Sequence, residues 1–339
     1  LNFSVVEGDV AKIREIRIVG NQAFPESTLR GLFDLDTGGW LSWYTKSDRY
    51  SRAKLNADLE TLRSYYLTRG FLEFNIDSTQ VALSPDKSEM SITVNVTEGQ
   101  RYVVSSVRLE GEYLGRDEEF KSLVTVKVGE AYNAEAVADT VKAFTDYFGA
   151  FGYAFASVES APEIDRENNR VAFVIRAQPQ RRVYVRRINV EGNNRTRDEV
   201  IRREFRQFES AWYDSDRIRL SRDRVDRLGF FTEVGVDTQP VPGTQDQVDL
   251  TVTVGERPTG NLSIGAGYSQ AEKLSFIASI QQENFFGTGN YLGLDVNTSD
   301  FNRNLVLRTT DPYFTRDGVS RTFDLYYKTT KPFTEQGGD

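Results

Sequence analysis

The sequence contains no cysteine and no histidine. Zinc sites and disulfides are built from these residues, and so are most nucleophilic and acid–base catalytic sites. Structural zinc, disulfides, thiol nucleophiles and histidine-based catalysis are therefore excluded within these residues, and we expect no cofactor and no bound metal. The absence of cysteine also suits an oxidising compartment, where stray thiols would pair.

Long apolar runs are missing too. No stretch approaches the ~18 to 20 consecutive apolar residues of a membrane-spanning helix, so any membrane contact is predicted to use β-strands.

Positive charge is not in excess, since the chain has 42 Lys and Arg and 50 Asp and Glu, and this balance gives no sign of a general nucleic-acid binder. A length of 339 residues fits roughly three or four domains.

What the chain does contain is a unit that occurs three times. Residues 183–256 show it most compactly: a strand-like run that turns at Gly192, two helical segments and two further strand-like runs. The opening strand recurs at residues 13–20 and 103–111, and the closing strands fall at residues 90–97, 171–177 and 248–254. Helical spacing places the second helix of each unit at residues 52–68, 134–148 and 215–228. This internal repeat predicts three tandem β-α-α-β-β domains.

The boundaries of these units follow from the same landmarks. We predict an α+β chain with repeats at residues 11–98, 99–179 and 180–257. Residues 1–10 alternate in the manner of the closing strands, so we interpret them as the end of a preceding repeat in a longer protein. The middle strand of the first repeat, near residues 76–83, is expected at a sheet edge, where a second chain can add a strand.

The sequence pattern changes after Pro258, where helical periodicity disappears. Apolar residues then alternate with small or polar ones around residues 262–268, 274–281, 292–297 and 322–327. Alternating segments of about ten residues are typical of outer-membrane β-barrels, and the small or polar second face fits a wet lumen. A soluble β-sandwich also alternates and is the alternative. Only four or five such strands fit in residues 258–339, whereas a bacterial barrel needs at least ~8, so the predicted barrel is incomplete.

Soluble repeats that lead directly into a β-barrel resemble the polypeptide-transport-associated (POTRA) repeats and barrel of the outer-membrane insertase superfamily, and within it the barrel assembly machine of Gram-negative bacteria. The motifs that carry the resemblance extend over nearly the whole chain. They are Ile18-Val-Gly-Asn-Gln-Ala-Phe24, Asp58-Leu-Glu-Thr-Leu-Arg-Ser-Tyr-Tyr66, Phe74-Asn-Ile-Asp-Ser-Thr-Gln80, Arg202-Arg-Glu-Phe-Arg-Gln207, Arg227-Leu-Gly-Phe-Phe231, Asp246-Gln-Val-Asp249, Gly287-Thr-Gly289 and Asp311-Pro-Tyr-Phe314. By family architecture the repeats are third-, fourth- and fifth-like, followed by the first barrel strands. The remaining barrel strands, and an arginine motif of a late barrel loop, are not in this sequence.

The resemblance implies an outer-membrane protein assembly factor, and not an enzyme. Unfolded barrel precursors would be received in the periplasm along the repeats and would then be folded into the outer membrane through the first barrel strand. The seam residues of that strand would be Gly260, Leu262, Ile264, Gly265, Gly267 and Tyr268. Its glycines suit a lightly packed pairing edge, or alternatively relieve curvature in a barrel wall.

The resemblance also implies partners. A BamD-like accessory lipoprotein would dock on the last repeat through Arg202 and Glu209, which are expected on one helical face; the alternative is that both are ordinary solvated charges. A BamB-like β-propeller would add to the edge strand of the first repeat. The residues concerned are Asn75, Ile76, Asp77, Ser78, Thr79, Gln80 and Val81. Other assembly-machine subunits, precursor proteins and outer-membrane lipid complete the expected partners, without nucleic acid.

Other functions compete with this interpretation. A translocation-assembly protein and a two-partner secretion transporter are related superfamily members, and a soluble periplasmic scaffold without a barrel belongs to a different class. An enzyme is disfavoured because the paired carboxylates have no nucleophile or base beside them. These pairs, Asp246 with Asp249 and Asp214 with Asp216, are expected in turns or near a helix start, where capping explains them.

Overall fold

The computed structural model describes residues 12–35, 37, 50–86, 88–269 and 273–331. The strand predicted at residues 1–10 lies outside this part of the chain. The chain divides into two compact units, one comprising Leu1–Thr145 and Ala156–Pro179 and the other Asp146–Phe155 and Gln180–Asp339. Among the described residues, no helix is long and apolar enough to cross a membrane.

The first repeat has the predicted order of elements. They are β1 (Lys12–Val19), α1 (Glu26–Arg30), α2 (Arg52–Leu67), β2 (Asn75–Leu83) and β3 (Glu89–Thr97). The closing strand β3 lies in the middle of the sheet, parallel to β1 and antiparallel to β2. Because Leu55, Leu62 and Tyr66 recur at helical spacing, α2 buries one continuous stripe in the core of this repeat.

The second and third repeats use the same topology. The second contains β4 (Val103–Gly111), α3 (Asp117–Ser122), α4 (Ala134–Ala150), β5 (Ser157–Asp165) and β6 (Arg170–Gln178). The third contains β7 (Tyr184–Glu191), α5 (Asp198–Arg202), α6 (Ser215–Asp226), β8 (Phe231–Pro240) and β9 (Gln247–Glu256). The sheet orders are β4-β6-β5 and β7-β9-β8. In each repeat the closing strand is therefore central and the middle strand lies at an edge.

A glycine after each opening strand is required by this topology. Gly192 has φ +88°, and a Cβ added there would collide with the carbonyl oxygen of Val254 on β9. Gly20 and Gly111 occupy the same position in the other two repeats, with φ +100° at both. A side chain at any of these positions would push the opening strand away from its parallel neighbour, which explains why the glycine turn recurs.

Residues after the third repeat form one antiparallel sheet of five strands in sequence order. The strands are β10 (Gly260–Ser269), β11 (Lys273–Phe285), β12 (Asn290–Ser299), β13 (Asn302–Asp311) and β14 (Arg321–Thr330). The alternating segments of the sequence thus form strands, as predicted, and five of them lie within the described residues.

The strand register separates apolar from polar side chains. One row of cross-strand neighbours reads Leu262, Ile280, Leu294, Leu307 and Leu325. The adjacent row, on the other face, reads Asn261, Gln281, Gly293, Arg308 and Asp324. The apolar row is largely exposed at the two ends of the sheet, with Leu262 63% and Leu325 57% exposed. A β-sandwich would bury such a row against a second sheet, and the exposure of these two residues does not fit that packing.

Candidate functional site

Arg202 and Glu209 belong to different local structures in the third repeat. α5 ends at Arg202, and Glu209 lies in the loop after it, so the prediction that both occupy one helical face is wrong. After the helix the amides of Glu204 and Phe205 bond to carbonyls three residues back, and the hydroxyl of Ser221 on α6 accepts the Arg206 amide at 2.8 Å in place of a helical carbonyl. The two side chains nevertheless meet, with Arg202 Nη1 3.5 Å from Glu209 Oε1.

The two side chains converge on the backbone of Ile188. The Ile188 amide donates to Glu209 Oε1 at 2.8 Å, and Arg202 Nη2 donates to the Ile188 carbonyl at 2.7 Å. Ile188 lies on β7, an edge strand of its sheet, so the pair satisfies backbone groups that would otherwise lack a partner. Both side chains stay about half exposed, 42% for Arg202 and 47% for Glu209. The result is an anchored pair of opposite charges on an accessible surface.

Two aromatic residues, one on each side of Glu209 in the sequence, were not predicted as site residues. Phe208 and Trp212 are both exposed in the third repeat. The Arg182 guanidinium lies 4.4 Å from the centroid of the Trp212 ring, close enough for a cation–π contact. Exposed aromatic residues beside charged ones are common in protein interfaces. Their position just after the arginine-rich stretch of residues 195–206 could have indicated an interface from the sequence.

The predicted docking strand β2 lies at a sheet edge, where β3 is its only partner among the described strands. Its one charged residue is Asp77. A hydrogen bond from Thr97 lowers the pKa of this carboxyl, with a further contribution from Asn75. The pairing also has a bulge between Ile76 and Ser78.

The corresponding edge strands of the other repeats are better protected against strand addition. β5 contains a proline and three acidic residues: Glu159, Pro162, Glu163 and Asp165. β8 contains two acidic residues and ends in a proline: Glu233, Asp237 and Pro240. Proline and charge on an edge oppose pairing with another chain. Of the three edges, β2 is therefore the most open to a strand from another molecule.

All six predicted seam residues lie on β10. This strand pairs with β11 along one edge, and its other edge has no partner among the described residues. A Cβ added at Gly265 would meet nothing within 4 Å, and one at Gly267 would lie 3.3 Å from Ser275 Oγ. Space alone therefore does not require glycine at position 265. An open cleft of about 600 Å³ lies beside the start of the strand, next to Arg257, Gln282 and Phe286.

The acidic pairs of the third repeat have structural partners. Asp214 Oδ1 accepts the amides of Asp216 and Arg217 at 3.0 and 3.2 Å, which is the predicted cap at the start of α6. Asp249 lies within β9 and not in a turn, which corrects the sequence prediction. It hydrogen bonds to Arg186, and that bond lowers the pKa of its carboxyl.

Comparison with protein families agrees with this architecture. Residues 11–99, 102–179 and 183–257 each match the POTRA family, described as surface antigen variable number repeat. The chain belongs to the POTRA family. Residues 284–337 also match the Omp85 superfamily domain, so the POTRA repeats precede part of an Omp85 domain.

Individual proteins are also similar to this chain over most of its length. The chain is 36% identical over 333 residues to the outer membrane protein assembly factor BamA of Neisseria meningitidis, covering 98% of the chain and 42% of that protein. The crystal structure of Haemophilus influenzae BamA POTRA3-5 aligns with a TM-score of 0.67 and 30% identity, over 73% of this chain and 97% of that one. BamA of Haemophilus ducreyi lacking POTRA domains 1-3 aligns with a TM-score of 0.59 and 35% identity, over 67% of this chain and 43% of that one.

These similarities confirm the predicted fold class. Three POTRA repeats of α+β structure are followed by the first antiparallel strands of a β-barrel of the Omp85 superfamily. The chain spans less than half of the length of the Neisseria relative, 42%.

Proposed function

We propose that this chain acts within an outer-membrane protein assembly factor, with its POTRA repeats in the periplasm and its five-stranded sheet in the outer membrane of a Gram-negative cell. It would bind and fold other proteins without making or breaking covalent bonds, and would therefore not be an enzyme. The observation that carries this proposal is β10, a strand at the start of its sheet whose outer edge pairs with no other strand among the described residues, and whose apolar side chains are exposed.

Strand pairing at β10 would be the folding step. An unfolded barrel precursor has free backbone donors and acceptors, and the open edge of β10 offers a matching row. Each backbone hydrogen bond contributes about 1 kcal/mol net in water, and leaving such a group unpaired costs more where water is excluded. Pairing along the ten residues of β10 would therefore favour strand formation inside the membrane over the unpaired chain.

Strand addition at β2 would bind a second protein in the periplasm. Because β2 has one acidic residue and no proline, its outer edge can form a ladder with an added strand, most regularly after the bulge between Ile76 and Ser78. A BamB-like β-propeller is the partner that we assign to residues 75–81, and unfolded precursors would use the same kind of edge along the repeats.

Docking of a BamD-like lipoprotein would use Arg202 and Glu209. Their opposite charges lie side by side, so the partner needs an acidic and a basic side chain at matching positions. An exposed ion pair alone contributes only about 0 to 1 kcal/mol. The exposed rings of Phe208 and Trp212 would add apolar contact area, which usually dominates the affinity of an interface.

Cysteine cross-linking tests the folding step. Ser263→Cys on β10 is compared with Asn297→Cys on β12, which has neighbours on both edges; both residues lie on the polar face. The intact protein is reconstituted in phosphatidylethanolamine and phosphatidylglycerol vesicles and given an unfolded eight-stranded barrel protein with one cysteine in its last strand. We expect membrane insertion, and a disulfide to position 263 only.

Two results would contradict this function. Insertion with equal cross-linking from positions 263 and 297 would remove β10 as the pairing strand. Failure of the folded, reconstituted protein to insert any precursor would favour a translocation-assembly or secretion relative.

A further inference from the structure

Two sequence motifs have no role in the function proposed above. Gly287-Thr-Gly289 is the turn between β11 and β12, and Asp311-Pro-Tyr-Phe314 begins the turn between β13 and β14. Both turns contact the third repeat, within the same compact unit of the chain. These contacts lie on the segment around α5 and on α6.

The first turn is fitted closely against the start of α5. The Arg197 amide donates to the Gly287 carbonyl at 2.9 Å, and Asn284 Nδ2 donates to Thr196 Oγ1 at 2.8 Å. Gly287 has φ +72°, and a Cβ added there would collide with the carbonyl oxygen of Arg195. Glycine is required here by both its backbone conformation and the close approach of a neighbouring backbone.

The guanidinium of Arg203 lies where the two turns meet the repeat. A Cβ added at Gly289 would collide with Arg203 Nη2, and the Tyr313 ring centroid lies 4.3 Å from Arg203 Cζ. Nε and Nη2 of Arg203 are buried, and neither finds a hydrogen-bond acceptor in the described part of the chain. Burying a cation is costly unless it is compensated, and the face of the Tyr313 ring supplies a cation–π contact.

Arg224 on α6 holds the same tyrosine by its hydroxyl. Arg224 Nη2 donates to the Tyr313 hydroxyl oxygen at 3.2 Å and pairs with Glu204 Oε2 at 2.8 Å. The Glu204 side chain is 5% exposed and that of Arg224 31%, so water reaches this ion pair only from the arginine side. Tyr313 is therefore held at its ring by one arginine and at its hydroxyl by another.

The covalent connection alone does not explain this arrangement. Residues 257–259 link β9 to β10 and provide one point of attachment between the repeat and the sheet. A single linker leaves rotation about it free, whereas contacts at two further turns remove that rotation. The partly buried guanidinium of Arg203 forms part of both turn contacts, through Gly289 and Tyr313.

We propose that Arg203 and Arg224 are positioning residues that clamp the two turns onto the third repeat and so fix its orientation relative to β10. The turn clamp comprises Arg203, Glu204, Arg224, Gly289 and Tyr313. That the clamp fixes the orientation of the third repeat does not depend on the proposed function. Its consequence for precursor folding rests on the function proposed for β10. With the clamp intact, a chain delivered along the repeats meets the free edge of β10 at a constant angle.

Distances between spin labels test the clamp directly. Labels are attached at Asp237→Cys on β8 and Asp300→Cys at the β12–β13 turn, both exposed positions, in the intact protein in lipid vesicles and without other reactive cysteines. We expect a narrow distance distribution for the parent protein. Arg203→Ala and Tyr313→Ala should at least double its width, while Arg203→Lys, which keeps a cation over the ring, should restore most of the narrow distribution.

A matched control distinguishes the loss of the clamp contacts from the loss of any positive charge on the third repeat. Arg222→Ala removes an exposed arginine of α6 that pairs with Asp223, and it should leave the width unchanged. The melting temperature of each variant verifies that the third repeat stays folded. An unchanged width in Arg203→Ala, or equal broadening in Arg222→Ala, would overturn the clamp.

Precursor insertion provides the second measurement. We expect the insertion rate to fall several-fold in Arg203→Ala and to recover in Arg203→Lys. Broadened distances with a normal insertion rate would overturn the positioning role. Because the distance measurement needs no insertion activity, a wrong proposed function and a wrong clamp give different results.

Discussion

Tyr102 in the second repeat donates its hydroxyl hydrogen bond to Glu73 in the first, with 2.7 Å between the tyrosine oxygen and Glu73 Oε2. Arg166 occupies the other carboxylate oxygen, with Nη2 at 2.7 Å and Nε at 3.0 Å from Glu73 Oε1. One carboxylate of the first repeat is therefore held by two side chains of the second. This contact couples the junction of the two repeats to pH.

We expect the junction to loosen in acid. The hydrogen bond from Tyr102, followed by that from Arg166, lowers the pKa of Glu73. A carboxyl with a lower pKa in the folded state stabilises the contact fully above its ordinary value of ~4.3, and the stabilisation is lost as the pH falls through the lowered pKa. Spin-label distances between the two repeats, measured as a function of pH, should broaden in that range, and Glu73→Gln should abolish the pH dependence.

Glu163→Gln is the matched control, because the ion pair of Glu163 with Arg108, at 2.8 Å, lies within the second repeat. Its pH profile should match the parent. A Glu73→Gln protein that still broadens in acid would assign the transition to another group.

Charge and hydrogen bonding at Glu209 can be separated by two substitutions. Glu209→Gln keeps an acceptor for the Ile188 amide but loses the charge, whereas Glu209→Lys loses both. We expect Glu209→Gln to unfold at nearly the parental temperature and to bind the BamD-like lipoprotein several-fold more weakly, measured by capture of the purified lipoprotein. Glu209→Lys should also lower the melting temperature of the third repeat.

Glu199→Gln serves as the control, since Glu199 is an exposed charge that lies 3.7 Å from Arg197 on the same segment. Parental binding by Glu209→Gln would show that the charge of Glu209 does not contribute to docking and that the pair only covers the edge of β7.

Proline substitutions test strand addition at β2. Adjacent residues of a strand direct their amides to opposite edges, so one of Thr79→Pro and Gln80→Pro removes an amide bonded to β3 and the other removes an amide on the free edge. We expect one variant to destabilise the first repeat and its neighbour to stay folded but lose binding of the BamB-like propeller. Normal propeller binding by the folded variant would exclude ladder formation at this position.

The repeats were predictable because their signals are local. Leu55, Leu62 and Tyr66 follow helical spacing, and the closing strands alternate, so each element carries its own pattern. The end of α5 was not predictable in this way, because the Ser221 hydroxyl that replaces a helical carbonyl comes from the next helix. The meeting of Arg202 and Glu209 at Ile188 likewise depends on the fold of the loop.

The turn clamp was beyond the reach of sequence reasoning for a related reason. Arg203 is one of several arginines in its segment, and nothing in its own neighbourhood marks it as buried. Tyr313 becomes its partner only when β13 and β14 are paired and their turn approaches the repeat. In the sequence, Gly287-Thr-Gly289 and Asp311-Pro-Tyr-Phe314 only contributed to the family resemblance, and the surface that they contact is distant in the chain.

The two faces of β11 should differ in their tolerance of charge. Ile280 lies in the apolar row and Gln281 in the polar row, one residue apart on a strand with neighbours on both sides. If the apolar face contacts lipid, Ile280→Lys should cost about 2 to 4 kcal/mol and Gln281→Lys about 1 kcal/mol or less. Denaturant unfolding of the intact protein from vesicles measures both values, and equal costs would argue against lipid on the Ile280 face.

Alanine substitutions at two glycines with positive φ separate the cost of backbone strain from the cost of a steric collision of the new Cβ. Gly243, at φ +81°, has open space around its missing side chain, whereas a Cβ at Gly192 would collide with the Val254 carbonyl. Gly243→Ala should therefore cost only the left-handed strain, about 1 to 2 kcal/mol. Gly192→Ala should cost more than about 3 kcal/mol, since displaced strands also lose hydrogen bonds of roughly 1 kcal/mol each.

Hydrogen exchange at the amides of β7 and β9 measures directly how far Gly192→Ala weakens the backbone hydrogen bonds between these strands. We expect faster exchange along both strands in Gly192→Ala and parental exchange there in Gly243→Ala. This result would show that the recurring glycine is required for the parallel pairing of the opening and closing strands. If both variants leave the β7 amides equally protected, β7 tolerates a side chain at its end. The recurrence of glycine at positions 20, 111 and 192 would then reflect the turn conformation alone.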